Sequence, residues 1–169
     1  MPARELTVDE IMAILPATPA RLAELAEVDD PTVLHAAPVP GEWSANDLLA
    51  HLRACEEVLG DSMLRILSEE HPAWRATNPR SWQKKSGYHD WQFGPALEAF
   101  TAHRGRLLAV LQPLPAEAWE RTATVAVPPS KRYERSVRYY GDWLAGHERA
   151  HLVKLPKLIA AARERATKT

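Results

Sequence analysis

The sequence predicts an all-α protein built as a bundle of four principal helices. Three observations carry that expectation: apolar residues recur at three- and four-residue spacing through long stretches, strand-like alternation is scarce, and only 7 glycines occur in 169 residues. A single domain over residues 1–169 is expected, since a chain of this length buries one sizeable core but not two comfortable ones.

The first helical region runs from about Thr7 to Val28, with Ile11, Ile14, Leu15, Leu22 and Leu25 on its apolar side. Pro16 and Pro19 each remove a backbone donor, so a short helix followed by a longer one is expected. Pro31, Pro38 and Pro40 mark a connection, which ends at Ser44, a good N-cap with Asp47 three residues on in a variant of the capping box. The helix that follows carries the stripe Leu48, His51, Leu52, Cys55, Leu59, Met63 and Ile66, and should end before Pro72. Residues 71–92 show no helical period yet hold Trp74, Trp82 and Trp91, and read as a long loop, a kind of segment more often functional than idle. A third long helix spans about Phe93 to Gln112, with Phe93, Leu97, Phe100, Leu107, Leu108 and Leu111 on one side and prolines after it. Residues 121–135 read as irregular, although "TATVAV" has the composition of a short strand. The last helix starts near Ser136 and passes through Tyr140, Trp143, Leu144, His147 and His151. Pro156 should kink or end it, leaving 157–169 as a helical tail.

Lys plus Arg number 21 against 22 Asp plus Glu, a formal charge of -1, so no global electrostatic pull toward nucleic acid or an anionic membrane is expected. Cys55 is the only cysteine, which excludes an intrachain disulfide. The segment "MPARELTVDEIMAIL" has Glu5, Asp9 and Glu10 and no continuous apolar run, and no stretch is apolar enough to span a bilayer. A cytoplasmic protein is the expectation.

The chemistry concentrates in "GHERAHL", residues 146–152. On a helix, residues four apart share a face with Cβ atoms about 5–6 Å apart, which suits two imidazoles converging on one ion. His147 and His151 meet that requirement on the apolar stripe, where buried rings need a metal or strong hydrogen bonds. Two imidazoles hold a divalent ion weakly, and His51, between Leu48 and Leu52 on an inward stripe, is the best third ligand. His103 reads as a core or boundary residue, and His35, His71 and His89 as solvated residues of connections. Cys55, one turn after His51, is either a soft fourth ligand or a small apolar filler, the second being the commoner role of a lone inward cysteine.

The letters HExxH also spell a zinc-protease signature, in which the glutamate is general base and a third ligand follows downstream. Here Pro156 comes five residues after His151, Glu164 is the only later acid, and the HExxHxxGxxH extension is missing. A protease is therefore not expected.

The segments "PGEWSANDLLAHLRACEEVLGDSMLRIL" and "WLAGHERAHLVKLPKLI" resemble the two signature helices of the DinB/YfiT-like family of metal-binding four-helix bundles. "ALEAFTAHRGRLLAVLQPLPAEAW" is similar to its third helix and "ATPARLAELAEV" to its first, so the resemblance covers nearly the whole chain. It implies that His51, His147 and His151 form a metal triad holding zinc or nickel with open positions, and often a homodimer. Members with assigned activity include transferases and isomerases that use low-molecular-weight thiols, and family membership by itself does not fix the chemistry. The Trp-rich segment 71–92 is not part of the signature.

An ion with an open position lowers the pKa of a bound thiol or water toward neutrality. The leading functional expectation is activation of a small thiol for transfer to an electrophile. Trp74, Trp82 and Trp91 would either wall a substrate pocket or merely cover the bundle end, and Lys131, Arg132, Arg135 and Arg138 would either bind carboxylates of a peptide-like thiol or form a solvated surface. Two alternatives stand beside it. Metal-assisted hydrolysis of a small amide or ester needs a general base, for which Glu148 is a weak candidate beside Glu56 and Glu57. A non-enzymatic, metal-stabilised binding protein would couple metal loss to unfolding.

Overall fold

The computed structural model describes residues 4–27 and 30–168. Four long helices dominate: α1 (Val8–Glu27), α3 (Ala45–Ser68), α5 (Phe93–Leu111) and α7 (Val137–Ala166). Both α1 and α3 pack against α5 and α7, so α1 and α3 lie across a diagonal of the bundle rather than side by side. Short elements fill the connections: α2 (Pro31–His35), β1 (Ala73–Arg75), α4 (Pro79–Ser86), a 3-10 turn (Tyr88–Asp90), α6 (Ala116–Trp119), β2 (Thr122–Val127) and β3 (Lys131–Ser136). The four-helix bundle is as the periodicity predicts.

Helix starts follow their caps. Ser44 and Asp47 form the reciprocal capping box at the head of α3, and Ser136 accepts from the Tyr139 amide at the head of α7. Every member of the stripe Leu48 to Ile66 is buried.

Four expectations change. First, α1 is one continuous helix through Pro16 and Pro19. Pro19 leaves the Leu15 carbonyl without its helical donor, and Arg104 Nη1 supplies one at 2.6 Å, so the break is repaired from another helix. The expected end at Val28 lies outside the described residues. Second, α7 runs through Pro156 without ending, because Leu155, Ile159 and Ala162 bury against Leu22, Val33, Phe93 and their neighbours. Residues 157–166 are thus the last part of α7 rather than a separate tail. Third, residues 71–92 are not a structureless loop. Asn78 caps α4 by accepting from the Arg80 amide, Pro79 opens the helix, and Gly87 ends it at φ 68°, a left-handed conformation that favours glycine. Fourth, residues 121–135 form a hairpin, β2 antiparallel to β3, with β1 added in parallel on the other side of β2. Ala123 and Val125 of β2 bury against the bundle, which gives the sheet its inner face.

The apolar core is divided in two. One cluster contains Ile11, Leu15, Met63, Leu107 and Leu144; the other contains Leu22, Leu49, Leu52, Phe100 and Ile159. Four buried polar residues, Thr18, Glu56, Arg104 and Glu148, one on each long helix, meet in a single network. Arg104 donates to Glu56 Oε1 at 2.9 Å and Oε2 at 2.6 Å, to both oxygens of Glu148, and to Leu15 O, which satisfies all of its N–H groups. Thr18 Oγ1 donates to Glu148 Oε2 at 2.7 Å. Among the described residues no helix is long and apolar enough to cross a membrane.

Candidate metal centre

Helix α3 delivers His51, and α7 delivers His147 and His151 from successive turns. Their Nε2 atoms converge: His147 Nε2 lies 3.2 Å from His51 Nε2 and 3.0 Å from His151 Nε2. Among the described residues this is the group of side chains whose ligand atoms could hold a metal ion.

The donor set fits a shared cation better than a ring of hydrogen bonds. A neutral imidazole offers at Nε2 either one proton or one lone pair, so His147 Nε2 can satisfy one of its two neighbours but not both. Three lone pairs aimed at one ion leave none in conflict. Zn–N bonds of about 2.0–2.1 Å in tetrahedral geometry would separate ligand nitrogens by about 3.3–3.4 Å, close to the spacings found. The rings are also in the protonation state that ligation requires. Burial pushes His147 down to about 4, with the facing His151 and His51 adding to it, and burial with the His51 ring pushes His151 down to about 4. His51 is lowered too, by burial first, with the neighbouring Gln83 side chain opposing the shift.

Aromatic rings wall the triad. The Trp143 indole stacks on His147 with centroids 4.5 Å apart and planes inclined by 18°, and Trp43 lies 5.0 Å from His51. The neighbourhood is electropositive: Arg80 depresses all three rings and Lys154 depresses His147 and His151. Arg80 and Gln83 both come from α4, and its guanidinium lies 5.7 Å from the Trp43 ring. Sequence reasoning missed these two residues because 71–92 has no apolar period. The Asn-Pro start and Ser-Gly end of α4 were the available signal.

Cys55 Sγ lies 3.6 Å from His51 Nε2, and burial pushes its thiol up to about 12. It sits in the core cluster as a small apolar side chain. Glu148 proves a poor base: it is fully buried, burial raises its carboxyl against the attraction of Arg104, and both oxygens are engaged by Arg104. The central acid of the HExxH letters therefore holds the bundle together instead of facing the triad. Glu56 shares that guanidinium, and Glu57 accepts from Trp82 Nε1 at 2.8 Å and from the Tyr88 hydroxyl.

The remaining candidates scatter. His103 contacts Glu56 at 3.3 Å and Asp61 at 3.5 Å, away from the triad. His71 and His89 are exposed, as expected, whereas His35 lies in α2 and is half-buried. Trp91 is exposed and meets the Tyr88 ring edge to face, with centroids 6.2 Å apart. Arg138 pairs with Glu120 and Glu5, and Lys131 and Arg132 lie exposed on β3.

Solved structures share the fold that carries these residues. YfiT from Bacillus subtilis, described as a probable metal-dependent hydrolase with an unusual four-helix bundle topology, superposes with a TM-score of 0.74 at 20% identity, over 94% of this chain and 90% of that one. A mycothiol-dependent maleylpyruvate isomerase matches with a TM-score of 0.65 at 13% identity, over 89% of this chain and 61% of its own. A search of curated proteins finds no match. The family model of the DinB superfamily covers residues 14–153, and with the bundle in agreement the chain belongs to that superfamily.

Proposed function

We propose that the protein is a divalent-metal-dependent enzyme in which His51, His147 and His151 hold the ion and a small thiol is activated for S-transfer to an electrophile. The observation that carries this reading is the convergence of three imidazoles, with His147 Nε2 3.2 Å from His51 Nε2 and 3.0 Å from His151 Nε2, a geometry their mutual hydrogen bonds cannot satisfy. Imidazole donors suit zinc and nickel, which are the ions proposed. When bound, such an ion supplies Lewis acidity that lowers the pKa of a thiol or water in its open position.

The chain's own residues do the rest. The Trp143 stack fixes the plane of His147, and Gln83, anchored on the Asp47 carbonyl, lies beside the His51 ring. Trp43 and Trp143 exclude water from two sides of the triad. Arg80 and Lys154 bias the surroundings toward anionic species, a thiolate or a carboxylate among them. Thiol activation is favoured over hydrolysis because hydrolysis needs a positioned base, and Glu148, Glu56 and Glu57 are all committed to other partners. The likeness to a mycothiol-dependent isomerase supports the same choice. A cytoplasmic, homodimeric protein remains part of the proposal.

Elemental analysis of untagged protein purified without chelators tests it, beside a His147→Ala variant. About one zinc or nickel ion per chain, lost in the variant, followed by metal-dependent consumption of a low-molecular-weight thiol with a model electrophile, is the expected result. Metal-free protein that also fails to take up zinc or nickel on reconstitution would overturn the reading. If chelation unfolds the protein, the ion is structural and the enzyme proposal fails.

A further inference from the structure

A cavity of about 150 Å³ lies between the inner face of the sheet and helices α3 and α7. Trp74 and Val125 line it from the sheet, Val58 and Leu59 from α3, and Tyr140 and Trp143 from α7. Its one charged wall is Arg135 of β3. Trp74 and Val125 are directly paired across β1 and β2, and Val125 pairs with Tyr133, whose ring lies 4.4 Å from the Arg135 guanidinium. Tyr139 lies under the same guanidinium at 4.1 Å. The cation is thus held by two aromatic faces, and among the described residues no carboxylate lies within ion-pair distance of it.

This cavity is tied to the histidine triad by one residue. Trp143 is both its wall and the indole stacked on His147. Tyr140 and His147 are seven residues apart on α7, about 10 Å at 1.5 Å per residue, so a molecule in the cavity lies within reach of the triad across a single indole. Beyond Val58 and Trp74 lies a second pocket of about 170 Å³, bordered by Glu57, Asp61 and Arg65.

We propose that this cavity is a binding subsite for a small carboxylate with a flat apolar body, its ring between Trp74, Val58 and Trp143 and its carboxylate on Arg135. Apolar space near 150 Å³ is about the size that admits one benzene ring. Aromatic walls on two elements favour a planar guest over a branched one. The guanidinium, whose fork matches a carboxylate, fixes the sign of the charge. The inference deepens the thiol-transfer reading by naming the class of its electrophile or thiol, and for the word substrate it rests on that reading. The binding itself does not.

The test uses the full chain, as purified, with 4-fluorophenylacetate observed by fluorine NMR and 2-phenylethylamine as the cation of matching shape. Saturable binding of the carboxylate is expected, weakened roughly tenfold or more by Arg135→Gln, the loss typical of one charge-assisted contact. Val58→Phe fills the cavity from a half-buried position and should abolish binding. The His51→Ala variant, whose ring touches none of the cavity's walls, should still bind the carboxylate after losing its metal, so failure of the metal reading and failure of the subsite are told apart. Melting curves check that each variant folds, and if Val58→Phe does not, Arg135→Gln decides alone. No saturable binding, equal binding of the amine, or an Arg135→Gln protein that binds as tightly as the parent would each overturn the proposal.

Discussion

Arg104 donates to the Leu15 carbonyl at 2.6 Å, the same carbonyl that Pro19 deprives of its helical partner. A proline that interrupts one helix thereby creates an acceptor for a buried cation on another. The guanidinium then gathers Glu56 and Glu148, one from each remaining helix, and ties the level of the bundle at which the histidine triad stands.

Replacing Arg104 should therefore be among the most destabilising single changes. An Arg104→Met protein keeps most of the volume but leaves two buried carboxylates and one carbonyl without their donor, so a loss of about 3–5 kcal/mol is expected. Urea unfolding of variant and parent measures it. A loss under about 1 kcal/mol would show that the layer is more hydrated than its burial indicates.

His103 gives the layer a pH dependence. Asp61 and Glu56 raise its imidazole to about 9, against the opposing effect of burial. Its folded-state pKa lies above the unfolded one, so its contribution is fully present below about pH 6.5 and falls away as pH rises toward 9. The stability difference between parent and His103→Gln should therefore shrink between pH 6 and pH 10. A difference that stays flat across that window would contradict the ion pairs. Glu56 moves the other way: burial raises it, but the bonds from His103 and Arg104 outweigh burial and hold it low, so its contribution is lost in acid.

Removing His51 tests the triad from the helix opposite the HxxxH pair. His51→Ala should reduce bound metal to well under a tenth of the parent at equal free zinc or nickel, because two imidazoles on one helix hold a divalent ion weakly. Circular dichroism should remain unchanged. Equal metal content in parent and variant would remove His51 from the site.

Cys55 should be inert in the folded state. Its thiol is buried and pushed up to about 12 by burial, so a disulfide reagent at pH 8 should label it only after denaturation. Cys55→Ala should keep the metal stoichiometry of the parent. Rapid labelling of folded protein, or loss of metal in Cys55→Ala, would make the sulfur part of the site.

Much of the bundle was legible in the letters, for local reasons. The cap at Ser44 and the stripe from Leu48 to Ile66 are written within one helix, so α3 could be read without knowing its neighbours. The His147 and His151 pair was legible for the same reason, since their spacing alone puts them on one face. The short segments were less so. Residues 71–92 form α4 by capping, with Asn78, Pro79 and Gly87 supplying the geometry and no buried residue supplying a period. The β2–β3 hairpin is strand only because its paired partner and the bundle beneath it satisfy its backbone and its inner face.

The sequence by itself determined α3 with its Ser44 cap and the shared face of His147 and His151, because each of these rests on spacing within a single element. Only the tertiary structure decided the roles of the charged residues. Glu148 is adjacent to a candidate ligand in sequence but turns into the core, where a guanidinium from α5 and a hydroxyl from α1 meet it. Arg80 and Arg135 lie in segments without an apolar period, yet one stands beside the triad and the other lines the cavity next to it. A side chain's partner across the bundle is fixed by how four helices pack, and no spacing within one helix encodes that.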